Sequence, residues 1–308
     1  MTRYRNFALF LALAAVWGSA FMAIKAGLAY FPPVLFAAVR YDIAGVLMLA
    51  YAAYVVDDPV PRGRGQWALV AVGATLMIAA YHAFLFVGEL NTTSAAAAVV
   101  VSLSPVLTTG FARLLLPSER LTVAGVVGLL LGLLGVGILV QPDPSNLLAE
   151  DAVAKGLVFL AATAFALGSV LTRRIDAELP IETMEAWSMV FGALLMHVVS
   201  ALLPNESLGA VVWTAESVAA LLYLSVVASA AGFLVYFDLL ERLGPIEINL
   251  VSYVAPVFAA LSGWLFLEEV IGVATVVGFL VIFAGFLLIK RRTLVEEFGW
   301  LRRSVAER

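Results

Sequence analysis

The chain contains no cysteine and only two histidines among its 308 residues. Without cysteine there are no disulfides, thiolate zinc sites or cysteine nucleophiles. Charged residues are also scarce, at 13% of the chain compared with about 25% in soluble proteins. The net charge of −4 supplies no basic excess for nucleic acid. Apolar residues make up 63% of the chain, and its mean hydropathy is +1.03. These values exclude a cytosolic enzyme, a nucleic-acid binder and a disordered scaffold, and they indicate an integral protein of the lipid bilayer.

Long apolar runs follow one another along almost the whole chain. A helix that crosses about 30 Å of hydrocarbon needs about 20 mostly apolar residues. The runs are continuously apolar, which favours helices over the alternating strands of about 10 residues found in membrane barrels. We therefore predict an all-α membrane protein with ten transmembrane helices. The predicted spans are residues 7–27, 33–55, 66–88, 94–116, 121–140, 156–172, 182–203, 218–240, 246–266 and 271–289.

The first apolar run has an alternative interpretation. Arg3 and Arg5 precede it, and small residues at 18–20 resemble a signal-peptide cleavage site. The run continues past these small residues through Phe21 and Met22 without a polar spacer, which favours a membrane span.

The distribution of basic residues predicts the orientation. With the N-terminus inside, the cytoplasmic segments hold most of the Lys and Arg residues, and the outside loops hold only Lys155. Cytoplasmic loops of membrane proteins are enriched in these residues. We therefore expect a multi-pass protein of the cytoplasmic membrane with both termini in the cytoplasm.

The second half of the chain matches the first when position 18 is aligned with position 168 and the rest follows in the same register. Each half then holds five spans, and because five is odd the second copy enters the membrane from the opposite face. Inverted repeats of this kind are typical of alternating-access carriers with a site near the membrane midplane. The predicted organisation is a first repeat at 7–140, an extracytoplasmic linker at 141–155, a second repeat at 156–289 and a basic cytoplasmic tail at 290–308. The non-aliphatic matches are Gly18-Ser19 with Gly168-Ser169, Gly128 with Gly278, Gly135 with Gly285, Glu119 with Glu269 and, with the register moved by one position, Pro105 with Pro256.

Several motifs within these halves resemble a known family. The run Trp17-Gly18-Ser19-Ala20-Phe21 resembles the opening of an EamA-type repeat, and so does a mid-helix proline followed by an acidic residue after the next turn. The resemblance covers about residues 7–290. It implies the drug/metabolite transporter superfamily of ten-helix carriers, many of which export amino acids or other small metabolites. The copies differ at two points: Leu167 replaces Trp17, and the glutamate follows the proline one position sooner in the second half than in the first.

Pro105 and Pro256 are predicted hinges. Proline removes a backbone donor and crowds the carbonyl four residues earlier. Membrane helices tolerate proline, so each could also be incidental. Their matching placement in the two halves favours a hinge or cavity position.

Polar side chains inside the spans are the candidate substrate site, because each is costly in lipid. Arg40 is either an interfacial anchor or a site residue. Asp42 cannot reach the interface, so it must be protonated, paired with another helix or in a wet cavity, and it would suit proton coupling. Its side chain is rotated about 200° from that of Arg40 on the helix. His82, beside Tyr81, is either hydrogen-bonded packing or a site residue.

The remaining candidates line the expected cavity. Trp17 and Ser19 lie mid-span, where a buried indole N–H needs a partner. Tyr236, Ser252 and Tyr253 are predicted to form the second-half side. The partners implied are a small-molecule substrate, the lipid bilayer and protons as coupling ion, without nucleic acid. We predict no metal and no cofactor, and the oligomeric state stays open, with a monomer as one option.

Two other function classes are alternatives. A membrane-embedded enzyme needs a placed nucleophile or metal, and the spans contain no G-x-S-G, H-E-x-x-H or G-x-G-D motif and no paired aspartates. A channel or scaffold would not need polar groups buried in both halves. The sequence favours a secondary transporter that moves a small metabolite, an amino acid or a related compound, outward by alternating access.

Overall fold

A computed structural model describes residues 2–116, 123–141, 149–244, 248 and 250–306, with side chains between residues 4 and 289. Residues 142–148, about half of the predicted linker, therefore lie outside the described residues, and so does Glu119. No strand occurs in the described part of the chain. The helices are α1 Thr2–Gly27, α2 Pro33–Val55, α3 Gly63–Glu89, α4 Ser94–Leu115, α5 Val123–Val140, α6 Glu150–Arg174, α7 Ile181–Leu202, α8 Ala215–Leu243, α9 Val251–Leu267 and α10 Val273–Ala306.

Eight of these helices, α1 to α8, are long and apolar enough to cross a membrane. The ninth and the apolar part of the tenth, Val273–Ile289, are shorter apolar helices. The predicted all-α membrane fold with about ten apolar helices is confirmed. The described ninth helix runs from Val251 to Leu267, and the predicted start of its span at position 246 lies outside the described residues.

Helices α5 and α10 pack through four glycines in reciprocal pairs. A Cβ added at Gly128 would lie 2.6 Å from the carbonyl oxygen of Gly285, and one at Gly285 would lie 2.6 Å from that of Gly128. Gly135 and Gly278 approach each other in the same way, at 2.7 Å in both directions. Small residues let membrane helices approach this closely. The four glycines therefore form a packing seam between α5 and α10. Each contact is made in both directions, as expected for two antiparallel helices related by a two-fold axis.

The two ends of the bundle are joined by different loops. We call the end at which α1 finishes the distal end and the opposite end the proximal end. At the distal end, the N–H of Val212 donates to the carbonyl of Tyr30 over 2.9 Å, joining the loop after α7 to the loop after α1. At the proximal end, Gln66 Nε2 donates to the carbonyl of Glu178 over 2.7 Å, joining the start of α3 to the loop after α6. The alignment of the two repeats places the loop after α1 on the loop after α6, and the loop after α7 on the segment that leads into α3. The two contacts are therefore equivalent in the two halves.

Helices α3 and α8 each contain a π-helical segment, at Gly73–Ala80 and Tyr223–Ala231. Gly73 aligns with Tyr223 in the register of the two repeats, so the segments occupy the same place in the two halves. A π segment widens the helix and loosens the regular backbone hydrogen bonding, and it often marks a functional site. This irregularity was not predicted from the sequence.

The two prolines have different local structures. Helix α4 is interrupted after Val101, and Pro105 lies in the first turn of its second segment, where proline is well tolerated. Ser104 Oγ donates to the Val101 carbonyl over 2.7 Å, which satisfies the oxygen that Pro105 leaves without its usual donor. Pro256 lies inside the continuous helix α9. The two copies have therefore diverged here, and the hinge role of both residues stays a prediction.

Candidate functional site

A buried polar cluster joins α2, α3 and α8 in the middle of the bundle. Its members, which we call the Arg40 cluster, are Arg40, Tyr41, His82, Phe86 and Ser229. Arg40 is 6% exposed, and its Nε donates to Ser229 Oγ over 3.1 Å. It also lies 5.2 Å from the ring centroid of Tyr41 and 5.9 Å from that of Phe86, within range of cation–π attraction.

The guanidinium of Arg40 has no carboxylate within ion-pair distance among the described residues, and its Nη atoms make no hydrogen bond to any of them. A buried charge is normally paired, because its desolvation is costly. Two of the three guanidinium nitrogens therefore remain available to a negatively charged group.

His82 links the cluster to the π segment of α3. The hydroxyl of Tyr41 lies 2.8 Å from Nε2 of His82, and Nδ1 of His82 lies 2.9 Å from the carbonyl oxygen of Ile78. A carbonyl only accepts, so Nδ1 carries a proton and Nε2 is free to accept from Tyr41 in the neutral ring.

Trp17 makes the corresponding contact in the other half. Its Nε1 donates to the carbonyl of Ala228 over 3.1 Å. Ala228 aligns with Ile78 in the register of the two repeats, so equivalent carbonyls of the two π segments both receive an aromatic ring N–H. Gly232 makes room for this contact, since a Cβ there would lie 2.8 Å from Trp17 Nε1.

Ser19 faces the same π segment as Trp17. Its hydroxyl lies 2.6 Å from that of Tyr223 and donates to the Ala15 carbonyl over 2.6 Å. Tyr236 packs on Trp17 with ring centroids 5.5 Å apart. Trp17, Ser19 and Tyr236 therefore form one group at the contact between α1 and α8.

Asp42 lies apart from the Arg40 cluster. Its Oδ2 is 2.7 Å from Nε2 of His197 on α7, and the side chains of His197 and Asp42 are 37% and 45% exposed. Of the three expectations for Asp42, the structure shows pairing with another helix. The rotation between residues 40 and 42 explains the separation, because it turns Arg40 towards α8 and Asp42 towards α7.

The other predicted residues lie around or away from the cluster. Tyr81 packs its ring against His82 and against Phe165 of α6. Tyr253 is buried on Phe286, and its hydroxyl has no partner among the described residues. Ser252 is half-buried in the first turn of α9.

Sequence reasoning missed several residues of this region. Tyr41 was missed because it lies between Arg40 and Asp42, whose charges drew the attention. Ser229 was missed because the chain contains many hydroxyl groups. Glu89 falls one residue beyond the predicted end of the third span, and it is completely buried. Its spacing of seven residues from His82 was the signal that places both on one helix face.

The polar members of the cluster have apolar or glycine counterparts in the other repeat. In the alignment of the two halves, Arg40, His82 and Ser229 stand opposite Val190, Gly232 and Ala79. The repeat fold is therefore built without polar groups at these positions, which argues that the cluster serves something other than folding.

Two surface pockets are also present. A pocket of about 460 Å³ opens at the distal end between the loop after α1, the end of α3 and the loop after α7. A second, of about 350 Å³, is an apolar groove between α3 and α7. Neither pocket is lined by a residue of the Arg40 cluster, whose members are at most 6% exposed.

Comparison with known proteins identifies the family. The sequence profile of the EamA-like transporter family matches residues 6–141 and 154–291. The uncharacterized transporter YvbV of Bacillus subtilis (strain 168) is 28% identical over 285 residues, which are 92% of this chain and 91% of that protein. The WAT1-related protein At3g02690, chloroplastic, of Arabidopsis thaliana is 29% identical over 269 residues, which are 85% of this chain and 64% of that protein.

A solved crystal structure of another protein has the same fold. Its TM-score is 0.64 at 23% identity, and the match covers 92% of this chain and 96% of that one. The family profile covers most of the chain in two copies, and the recognition made from its motifs is confirmed. The chain belongs to the EamA-like transporter family and is a multi-pass membrane transporter.

Proposed function

We propose that this protein is a secondary transporter that moves a small carboxylate-bearing metabolite, an amino acid or a related compound, by alternating access. The observation that carries the substrate class is the buried guanidinium of Arg40, which has no carboxylate partner among the described residues. Arginine binds carboxylates through two parallel hydrogen bonds, and both of its Nη atoms are available here.

The two bundle ends supply the support for alternating access. A segment of one half is hydrogen-bonded to a loop of the other half at the distal end and again at the proximal end. The Arg40 cluster lies between these two contacts. In an inverted repeat, one half can rock against the other so that one pair of loops separates while its symmetry mate stays closed.

We also propose the orientation and direction. The excess of basic residues in proximal loops assigns the proximal end to the cytoplasm and the protein to the cytoplasmic membrane. Export is the direction that the family resemblance implies, and protons are the proposed coupling ion. The predicted repeat boundaries at 140 and 156 belong to the same proposal.

A counterflow screen in proteoliposomes tests the proposal. Amino acids and other carboxylates are compared with amines that lack a carboxylate, with and without an imposed pH gradient. Saturable counterflow of carboxylates is expected. Replacing Arg40 by Gln should raise the KM roughly 10- to 100-fold, because a hydrogen bond to a charged group is worth about 1.5–3 kcal/mol.

Matched variants separate binding from folding. Arg40→Lys keeps the charge and should lose less than Arg40→Gln. Arg174→Gln changes an exposed arginine at the proximal end and should leave the KM unchanged. Equal flux of amines and carboxylates, with Arg40→Gln at the wild-type KM, would refute the assignment of Arg40.

A further inference from the structure

Glu89, the last residue of α3, is a buried carboxyl without a hydrogen bond. Its side chain is 0% exposed, and neither carboxylate oxygen has a hydrogen-bond partner among the described residues. The hydroxyl of Thr92, in the following turn, is also buried and has no hydrogen-bond partner among the described residues. An isolated ionised carboxylate is too costly to bury, and such a group is neutralised instead.

The fold does not require a carboxyl at this position. The aligned residue of the second repeat is Leu239, which lies in the equivalent stretch of α8 and is also 0% exposed. One repeat therefore fills the position with an apolar side chain, while the other places there a group that can gain and lose a proton.

Lys25 of α1 lies at the same helix end. Its Nζ donates to the backbone carbonyls of Glu89 and Leu90, over 2.7 and 2.9 Å, but not to the Glu89 carboxylate. The ammonium of Lys25 is therefore within hydrogen-bond distance of the Glu89 backbone, and we take a change of side-chain rotamer as the step that brings carboxylate and ammonium together. The structure thus holds a buried, unpartnered carboxyl next to the cation that would stabilise its ionised form.

We propose that Glu89 is a proton-binding site inside the membrane, loaded in the closed conformation and unloaded when its carboxylate pairs with Lys25. In the unloading step the O–H bond breaks, the proton passes to water at the distal end and the carboxylate keeps the electron pair. The pocket that opens at the distal end is lined by Val87 and Leu90, on either side of Glu89 in the chain, so a small opening there admits water.

The position of Glu89 connects it to the Arg40 cluster. His82, Phe86 and Glu89 have i, i+4, i+7 spacing and so share one face of α3. His82 lies about 10 Å from Glu89 along the helix axis. A role of this proton in coupling rests on the proposed transport function, whereas proton binding at Glu89 does not.

Several charged groups bear on the titration of Glu89. They are Lys25 on α1, Arg40 on α2 and Glu269 in the loop between α9 and α10. Glu269 also accepts from the backbone N–H of Ser94 at the start of α4.

Carbodiimide labelling tests the site without any substrate. Dicyclohexylcarbodiimide modifies protonated carboxyls in apolar surroundings, and mass spectrometry locates the adduct. In the full-length protein in detergent, Glu89 should be labelled at least about tenfold more than the exposed Glu241, and labelling should fall as the pH rises. Lys25→Met should retain the label at a pH where the wild type has lost it.

Glu185 on α7 provides the matched control, since it is also a buried carboxyl. Glu89→Gln should remove the adduct at position 89, and Glu185→Gln should leave it unchanged. Absence of an adduct at Glu89 at every pH overturns the proposal, and so does protection by Na⁺ at constant pH, which would indicate a sodium site. Either result leaves the transport proposal to its own flux assay.

Discussion

The hydroxyl of Ser229 is the acceptor for Arg40 Nε in the described part of the chain, 3.1 Å away. Ser229→Ala leaves a buried charged donor without its partner, which costs about 1–3 kcal/mol. We expect a lower Tm in detergent.

Ser225 is the matched control, four residues earlier on the same helix and equally buried. Its hydroxyl donates to the Leu221 carbonyl of its own helix over 2.7 Å, so Ser225→Ala should cost less. Equal Tm shifts for the two variants would show that the contact between Arg40 and Ser229 contributes nothing of its own.

The individual residues of the site show how much of it could be predicted from the sequence. Arg40, His82 and Trp17 were recognised because charge, imidazole and indole are unusual inside apolar runs. Their partners, such as Ser229 and the Ala228 carbonyl, were not recognised, because they are distant in the chain and depend on how the helices are rotated. Every residue has a backbone carbonyl, so the sequence does not indicate which one accepts a hydrogen bond.

At the scale of helices, the glycine seam between α5 and α10 is the sharpest test of packing. Gly135→Ala places a Cβ 2.7 Å from the carbonyl oxygen of Gly278, so the helices must move apart. We expect a loss of about 1–3 kcal/mol, typical of overpacking. A lower Tm would report it.

Gly137 tests the same substitution on the same helix without the clash, because a Cβ there would meet nothing within 4 Å. Gly137→Ala should be neutral or stabilising by up to about 1 kcal/mol, the usual gain in helix propensity. Equal effects at both positions would contradict the seam.

Helices were also the scale at which sequence reasoning was most successful. Length and apolarity predicted the helices, and the glycines that match between the two halves lie on the two helices of the seam. The π segments were missed because Gly73–Ala80 and Tyr223–Ala231 contain no proline, and a single glycine such as Gly73 is common inside membrane helices. Helix α4 is interrupted at Ser102 and Leu103 close to Pro105, whereas Pro256 lies in an unbroken helix, so proline alone did not predict the outcome.

At the scale of the whole molecule, the closed distal end depends on Glu206. Its carboxylate accepts from the backbone N–H groups of Val34 and Leu35, over 2.9 and 2.8 Å, and so ties the loop after α7 to the start of α2. A carboxylate at a helix N-terminus is stabilised by the free N–H groups and by the helix dipole. Glu206→Gln has only one acceptor oxygen, so it weakens this closure selectively.

The most direct test of alternating access measures both ends at once. The chain has no cysteine, so spin labels can be placed on exposed cysteine substitutions at residues 29 and 212 for the distal end and at residues 64 and 178 for the proximal end. Double electron–electron resonance spectroscopy in lipid nanodiscs then gives the distribution of the distance between the two labels at each end, with and without Glu206→Gln. We predict that Glu206→Gln lengthens the distal distance while the proximal distance stays short. Simultaneous lengthening at both ends, or no change at either, would contradict two halves that open alternately around the Arg40 cluster.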